Sequence, residues 1–267
     1  MEAAAYEQFR ELEERHWWFL GRNAIFAHLL RTLIVPKLSA KPGTVRSLDL
    51  GCGMGGHLGF LSEHGPATGV DMEDICLKHC RERGYRRLLV ADGTRLPLAD
   101  EQFELVTAFD TIEHIPDDLA AVRECFRVLK PGGRMFVSVP AWQFLYSHQD
   151  RVVHHHRRYT TGRLRALFVR GGFEVEKASY INFLLFPLIL PAVLLLKLKE
   201  ALRPPAADDR TTNASVAFSP WSNALLKAIF SFERHVLRRI SVPLGHSAIL
   251  IARKRSEERR VGKECAT

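Results

Sequence analysis

From residue 45 onward, short apolar segments alternate with longer amphipathic ones, and this alternation constrains the fold more than any other feature of the sequence. Short apolar runs bounded by turn residues are typical of buried strands, and the segments between them have helical periodicity. Strands that alternate with helices form a parallel sheet with helices on both faces. The predicted strands lie at 45–50, 67–70, 87–90, 103–109, 134–139, 173–178 and 246–252.

Glycines fill the turn after the first predicted strand. Residues 48–56 read Leu-Asp-Leu-Gly-Cys-Gly-Met-Gly-Gly, which favours a sharp turn into a helix whose N-terminus can receive an anion. Asp49 precedes the first glycine, Asp71 ends the second strand and Asp92 follows the third. A carboxylate at the end of the second strand is placed to accept hydrogen bonds from the hydroxyls of a ribose. The pattern therefore predicts a nucleoside-containing ligand.

A dehydrogenase that binds NAD would share the glycines and the ribose-binding acid. It would not need Asp49, nor the segments Ala-Asp-Gly-Thr-Arg-Leu-Pro-Leu at 91–98 and Phe-Asp-Thr-Ile-Glu-His-Ile-Pro-Asp at 109–117. With these motifs, residues 45–140 resemble the class I S-adenosylmethionine-dependent methyltransferases, specifically the type-11 group. The expected fold class is α/β, a Rossmann-like seven-stranded and mostly parallel sheet with helices on both faces, an N-terminal helical lid and a helical insertion before the last strand.

The resemblance implies S-adenosyl-L-methionine as the cofactor and S-adenosyl-L-homocysteine as the product. In this family the glycine loop contacts the methionine part, the acid of the second strand binds the ribose, and the residue after it lies against the adenine. The implied cofactor contacts are Asp49, Gly51, Gly53, Asp71, Met72, Asp92, Gly93, Phe109 and Asp110. His114 would lie near the transferred methyl group as a catalytic residue, or would cap or pack against the helix that follows it.

The segment 140–159 follows the fifth strand, where class I enzymes face the acceptor. A bacterial subgroup with an N-terminal His-Trp-Trp-Phe-x-Gly-Arg motif, present here at 16–22, is similar again in this segment. The resemblance implies catalytic His155 tuned by Asp150, since imidazole titrates near neutrality. It also implies that the substrate is bound by Arg157, Arg158 and Tyr159, together with Trp18 and Arg22 of the lid. The subgroup commonly has a histidine just before the acid, where this chain has Gln149. The alternative for segment 140–159 is a solvated basic loop, and the alternative for the lid is that its aromatic residues simply bury the N-terminal helix.

No metal site is expected. The adjacent histidines 154–156 are neighbours in sequence, which rarely converge on one ion, and the cysteines form no CxxC pair. Chemistry on an activated methyl donor needs chiefly alignment, and an oxygen nucleophile gains from a base.

The most hydrophobic stretch, residues 181–196, lies before the last strand. Its 16 residues fall short of the ~20 that span a bilayer, and it contains Pro187 and Pro191. A single crossing would also leave the last strand on the wrong side of the membrane. A second helix is predicted at 220–240, and both segments are bordered by cations, which suits an anionic lipid surface. The alternative is a helical subdomain whose apolar stripe is ordinary core.

The predicted organisation is an N-terminal helical lid (1–40), a cofactor-binding core (41–180), an apolar and basic insertion (181–241) and the last core strand (242–254). Within the lid, residues 6–35 predict two helices that are broken near Gly21 and end before Pro36. Residues 255–267 resemble the translation of a sequencing adapter, so we expect this tail to be non-native.

The net charge of +8 permits a polyanionic partner, either nucleic acid or an anionic membrane. The arginines are dispersed and no Asn/Asp-Pro-Pro-aromatic motif occurs, so no nucleic-acid partner is expected. Without a signal peptide, the expected location is cytoplasmic, with peripheral contact at the inner membrane face.

The predicted function is methyl transfer to a lipid or lipid-linked glycan at the cytoplasmic membrane face. A methyltransferase acting on a soluble small molecule and a catalytically silent cofactor-binding partner protein are the alternatives.

Overall fold

The computed structural model describes residues 12–203 and 218–255. Its strands are β1 (Ser47–Leu50), β2 (Ala67–Asp71), β3 (Leu88–Val90), β4 (Phe103–Phe109), β5 (Leu129–Pro140), β6 (Glu174–Ile181) and β7 (Ser247–Arg253). They form one sheet in the order β3-β2-β1-β4-β5-β7-β6. β7 runs antiparallel to β5 and β6, while the other pairs are parallel. The predicted fold class, a seven-stranded and mostly parallel Rossmann-like sheet, is confirmed.

Helices surround this sheet in the described part of the chain. They are α1 (Trp17–Leu29), α2 (Leu58–Ser62), α3 (Asp74–Glu82), α4 (Asp118–Val128), α5 (His148–Val152), α6 (Thr161–Arg170), α7 (Phe186–Leu202) and α8 (Pro220–Leu237). Helices α7 and α8 lie between β6 and β7 in the sequence, where the insertion was predicted. The tail residues 256–267 lie outside the described residues.

The N-terminal helices differ from the prediction of a break near Gly21 and an end before Pro36. The interruption lies at His16, whose ring nitrogen accepts the backbone N–H of Trp18 at 3.2 Å and so caps α1. Helix α1 continues through Gly21, where a Cβ would lie only 2.7 Å from Phe230 of α8. The glycine therefore allows two helices to approach closely and does not end one. After a π-helical turn, the chain passes Pro36 in a 3-10 turn, Val35–Lys37.

Two hydrophobic clusters lie on the opposite faces of the sheet. One packs α4 and α6 against the strands through residues such as Val122 and Phe168. The other joins α1 and α8 to the sheet through Phe26, Phe230 and Phe136, all fully buried. The N-terminal helix and the second insertion helix therefore share one face of the core.

The first insertion helix, α7, is different. Phe186 is its buried residue, and its leucines face outward: Leu188, Leu195 and Leu202 are 71%, 66% and 74% exposed. Among the described residues, none of the helices combines the length and the hydropathy needed to cross a membrane.

Candidate active site

The glycine loop lies at the carboxyl ends of β1 and β4. Gly51 and Gly53 have φ angles of +68° and +51°, in the left-handed region where side chains are strained. A Cβ on Gly51 would also lie 2.4 Å from the Thr111 side chain. The sequence therefore forms a tight loop whose backbone is open to close approach by a ligand, as its glycines predicted.

Asp71, at the end of β2, is tied to this loop. Its Oδ2 accepts the backbone N–H of Gly53 at 2.9 Å, and its Oδ1 accepts that of Glu73 at 3.0 Å. Burial raises the pKa of Asp71, although these two hydrogen bonds act in the opposite direction. The carboxylate thus sits beside the loop at the strand end where a ribose is bound in open α/β sheets.

Asp49 is fully buried in β1, below the loop. The hydroxyl of Thr107 donates to its Oδ1 at 2.7 Å. Its Oδ2 accepts no hydrogen bond, and His57 Nδ1 lies 3.6 Å from it. A buried acceptor without a donor is costly unless a ligand completes it. An ammonium group in the loop would do so, and the residues here fit the aminoacyl part of S-adenosyl-L-methionine.

The remaining predicted cofactor residues lie at the same edge of the sheet with different surroundings. Met72 is 66% exposed, and Asp92 accepts the backbone N–H of Thr94 at 2.8 Å in the loop after β3. Gly93 is buried against Leu50 and Ile115, and Phe109 stacks on Phe26 of α1 with ring centroids 4.3 Å apart. Their contacts with the cofactor stay predictions.

Asp110 joins the cofactor loop region to the N-terminal helix. It adopts a φ of +49°, accepts the Ser138 hydroxyl at 3.0 Å and forms an ion pair with Arg22 of α1. Arg22 is buried, and the Arg22 ion pair fixes α1 against the end of β4.

Asp150 is the centre of the acceptor side. It is fully buried, and Arg158 donates to both of its oxygens, at 2.8 and 2.9 Å. His155 Nδ1 lies 2.7 Å from Oδ1, and the backbone N–H of Ser147 donates to Oδ2 at 2.9 Å. Burial alone would raise the pKa of Asp150, but the hydrogen bonds from His155 and Arg158 hold it well below its usual range. The structure thus brings together the predicted pair His155 and Asp150.

Glu113 lies on the other side of His155. It is fully buried, and neither carboxylate oxygen has a hydrogen-bond partner. His155 Nε2 lies 3.8 Å from Glu113 Oε1, and the rings of His155 and His114 are 4.7 Å apart. Burial raises the pKa of Glu113 well above its usual value and lowers the pKa of His114 to about 4.

The predicted substrate-binding residues already have protein partners. Arg157 donates to the Pro116 carbonyl at 2.7 Å and pairs with Asp118 at 2.9 Å, and the hydroxyl of Tyr159 donates to Asp118 at 2.8 Å. Arg158 is held by Asp150, Arg22 by Asp110, and Trp18 stacks on Phe230 at 5.2 Å. A role of these residues in substrate binding stays a prediction.

Sequence reasoning missed three polar residues of this region: Glu113 and His57, which are buried, and His246, which is partly buried. Glu113 stands in the quoted segment 109–117, in the turn after β4, and no local signal marked it as a neighbour of His155. His246 reaches the site only because β7 runs antiparallel to its neighbours. Burial lowers its pKa to about 4, and its Nδ1 has no hydrogen-bond partner.

Known proteins match this chain in the same core. Residues 48–137 match the family model described as a methyltransferase domain. An S-adenosylmethionine-dependent methyltransferase of Mycolicibacterium smegmatis is 30% identical over 170 residues, 62% of each chain. A ubiquinone biosynthesis O-methyltransferase of Marinobacter nauticus is 39% identical over 103 residues, 35% of this chain and 43% of that one. The matches span less than two thirds of the length of these relatives.

Solved structures share the fold at low sequence identity. The S-adenosylmethionine-dependent methyltransferase of Archaeoglobus fulgidus has a TM-score of 0.53 at 18% identity, covering 87% of this chain and 94% of that one. The [4+2]-cyclase SpnF also has a TM-score of 0.53, at 22% identity, covering 86% and 81%. These structures show the fold alone, and their names show that it carries more than one activity.

The methyltransferase domain match extends from β1 through most of β5, and it includes the glycine loop, Asp49 and Asp71. Residues 48–137 are therefore a methyltransferase domain of the class I S-adenosylmethionine-dependent type, whose cofactor is S-adenosyl-L-methionine.

Proposed function

We propose that this protein transfers the methyl group of S-adenosyl-L-methionine to an oxygen atom of a lipid or lipid-linked glycan at the cytoplasmic face of a membrane. One observation supports a lipid as the acceptor: hydrogen bonds join the exposed apolar helix α7 to Phe144 and His148, in the segment that leads into Asp150. The names of the O-methyltransferase relatives support oxygen as the acceptor atom.

The cofactor supplies an activated methyl group, so the protein has to align the acceptor with it. In this proposal Asp71 binds the ribose and Asp49 the ammonium, on the side of the loop formed by β1 and β2. The acceptor would then lie toward Glu113, His114 and His155, near the end of β4.

His155 is oriented for a role on the acceptor side. Asp150 engages its Nδ1 at 2.7 Å, which leaves Nε2 as the nitrogen that faces Glu113. A histidine whose second nitrogen is fixed by a carboxylate presents one defined atom to a ligand. In this proposal, that atom receives the proton of the acceptor hydroxyl or binds a group that assists its loss.

Helix α7 borders this region. Lys197 Nζ donates a hydrogen bond to the Phe144 carbonyl, and the backbone N–H of His148 donates to Glu200 at 3.0 Å. Both bonds join the C-terminal half of α7 to the segment that leads into Asp150. A lipid held against the leucines of α7 would therefore have its polar end next to the acceptor side.

Charge supports the same orientation. Lys197 and Lys199 follow the leucines of α7, and Arg234, Arg238 and Arg239 lie at the C-terminal end of α8. An apolar helix face bordered by cations binds to anionic lipid surfaces.

The test of acceptor class uses methyl-tritiated S-adenosyl-L-methionine with bacterial extract, followed by partition between organic and aqueous phases. We expect label in the organic phase with the wild-type protein and none with Asp71→Ala. Label only in the aqueous phase would identify the methyl acceptor as a soluble small molecule. No label, with cofactor binding intact, would identify a catalytically silent partner protein.

The test of membrane contact is flotation with vesicles. The wild-type protein should float with anionic vesicles at low salt and not with neutral ones. Replacing Leu188 and Leu195 by serine should abolish flotation. Replacing Val90 and Val169, which are also exposed apolar residues but lie outside the insertion, should not. Equal flotation of the two variants would refute a role for α7.

A further inference from the structure

We infer that Glu113, His114 and His155 form a binding site for a divalent transition-metal ion of the Zn²⁺ type, with open coordination positions toward the acceptor. The site deepens the proposed function, on which it rests only for the role of the bound ion. Metal binding itself can be measured without cofactor or acceptor.

The geometry of the three side chains is the first argument. One ligand atom from each residue can be chosen so that all three lie within 4.8 Å of one another. His155 Nε2 lies 3.8 Å from Glu113 Oε1. Two ligands of a tetrahedral zinc ion lie about 3.3 Å apart, given bonds of about 2.0 Å. Small side-chain movements would therefore close the site on an ion.

The second argument is the uncompensated carboxylate. Asp110 is paired with Arg22 and Asp150 with Arg158, whereas Glu113 is fully buried and both of its oxygens lack a hydrogen-bond partner. A buried charge is normally paired or bound to a metal, because its desolvation is otherwise too costly. A cation between Glu113 and the two histidines would complete the charge pattern of this region.

The third argument is the hydrogen bond that supports His155. The Nδ1 atom of His155 lies 2.7 Å from the carboxylate of Asp150, so its Nε2 is the nitrogen that is left for an ion. Histidines that bind metals almost always have the other nitrogen held by a carboxylate or a backbone carbonyl. The ring of His155 is therefore oriented as metal ligands are, with Asp150 itself fixed by Arg158.

The donor set selects the class of ion. Two imidazoles and one carboxylate suit Zn²⁺, Fe²⁺ or Mn²⁺, while Mg²⁺ and Ca²⁺ prefer oxygen ligands. Three protein ligands leave at least one position open, as in catalytic sites. An ion there would lower the pKa of an acceptor hydroxyl, so that the oxygen loses its proton before attack. His155 then acts as a ligand, and the proton passes to solvent.

The sequence pattern did not predict this site. The run of histidines at 154–156 was rejected as a joint ligand set, and only His155 of that run takes part. Its partners come from the turn after β4, about 40 residues earlier in the chain.

The experiment is equilibrium dialysis of the full-length, chelator-treated protein against Zn²⁺, with the bound metal counted by elemental analysis. We expect one ion per chain in the wild type. Glu113→Gln and His155→Ala should weaken binding by more than the roughly 10- to 100-fold that loss of an outer-shell partner costs, and Asp150→Asn should weaken it within that range. His156→Ala, the adjacent histidine outside the cluster, is the matched control and should bind as the wild type does.

Glu113→Gln is the decisive variant because it replaces an unpaired buried carboxylate by a neutral side chain of the same shape, so the fold should persist. Zn²⁺ should raise the melting temperature of the wild type and not that of Glu113→Gln. Co²⁺ should give visible absorption in the wild type that is lost in the same variant. If the wild type takes up no Zn²⁺, or Glu113→Gln takes it up equally well, the metal site is refuted. Because no methyl transfer is measured, either result is separate from the fate of the proposed function.

Discussion

The cofactor side and the acceptor side meet at the end of β4, yet the first is formed mainly by backbone and the second by side chains. The cofactor side consists mostly of backbone from one short stretch, with Gly51 and Gly53 in left-handed conformations and Asp71 on the adjacent strand. The acceptor side consists of titratable side chains from distant segments, each buried or partly buried. Its members are Glu113, Asp150, His155, Arg158 and His246.

Because of this difference, substitutions on the two sides should have different effects. A loop shaped by glycines holds its form without the ligand, so its polar groups can be changed at the expense of binding. Buried charges that compensate one another cannot be removed singly without leaving a partner unpaired. We therefore expect substitutions on the cofactor side to change affinity, and substitutions in the Asp150–Arg158 pair of the acceptor side to change stability first.

The largest expected effect is on the acceptor side. Asp150→Ala removes the carboxylate that Arg158, His155 and Ser147 share, and leaves the Arg158 guanidinium buried without its partner. The free energy of unfolding should fall by about 3–5 kcal/mol in urea denaturation. Arg151→Ala is the control, since its ion pair with Glu200 is long, at 3.9 Å, and exposed. Its cost should stay below about 1 kcal/mol. Equal costs for both variants would contradict the comparison.

The next effect is on cofactor affinity. Asp71→Ala removes the carboxylate expected to bind the ribose and the acceptor of the Gly53 N–H. Loss of charged hydrogen bonds should weaken S-adenosyl-L-methionine binding on the order of 100-fold by calorimetry. The unfolding free energy should change far less than in Asp150→Ala. Asp74→Ala, an exposed acid on α3, should leave affinity unchanged. Unchanged affinity in Asp71→Ala would overturn the cofactor pose.

The same difference explains how much the sequence predicted. The sheet, the loop and Asp71 were predictable because strand periodicity and glycine spacing are local signals. The pairing of Asp150 with His155 was also predictable, because the two residues are only five positions apart. Glu113, His246 and the cluster with His114 were not, because their proximity depends on side-chain positions that only the folded β4 turn and the antiparallel β7 create. Gly21 was misread because a glycine that permits helix packing looks the same in sequence as one that ends a helix.

A third, smaller effect concerns the attachment of the insertion. Glu233 of α8 is fully buried and accepts the backbone N–H groups of Asn182 and Leu184, at 2.6 and 2.9 Å. Burial raises its pKa from 4.5 to about 7, although the backbone bonds lower it. In that interval the folded state holds a proton that the unfolded state has lost, so stability decreases as pH rises from 4.5 to about 7.

Glu233→Gln should remove this pH dependence. The wild type should lose about 2 kcal/mol relative to Glu233→Gln between pH 5 and pH 7.5, as measured by urea denaturation at each pH. Glu73→Gln, at an exposed position, should run parallel to the wild type. Parallel curves for wild type and Glu233→Gln would show that Glu233 is ionised throughout.

The smallest expected effect separates the two insertion helices. Leu188 and Leu195 of α7 are largely exposed, whereas Leu237 of α8 is fully buried in the core it shares with α1. Serine at 188 and 195 should change the free energy of unfolding by no more than about 0.5 kcal/mol each, as surface substitutions do. Leu237→Ala should cost about 2–5 kcal/mol. If α7 instead packed on the domain in solution, its leucines would also be costly to replace, and urea denaturation would place Leu195→Ser near Leu237→Ala. If the serine variants keep the free energy of unfolding of the wild type but no longer float with vesicles, these leucines contact a membrane surface, because the folded protein alone does not require them.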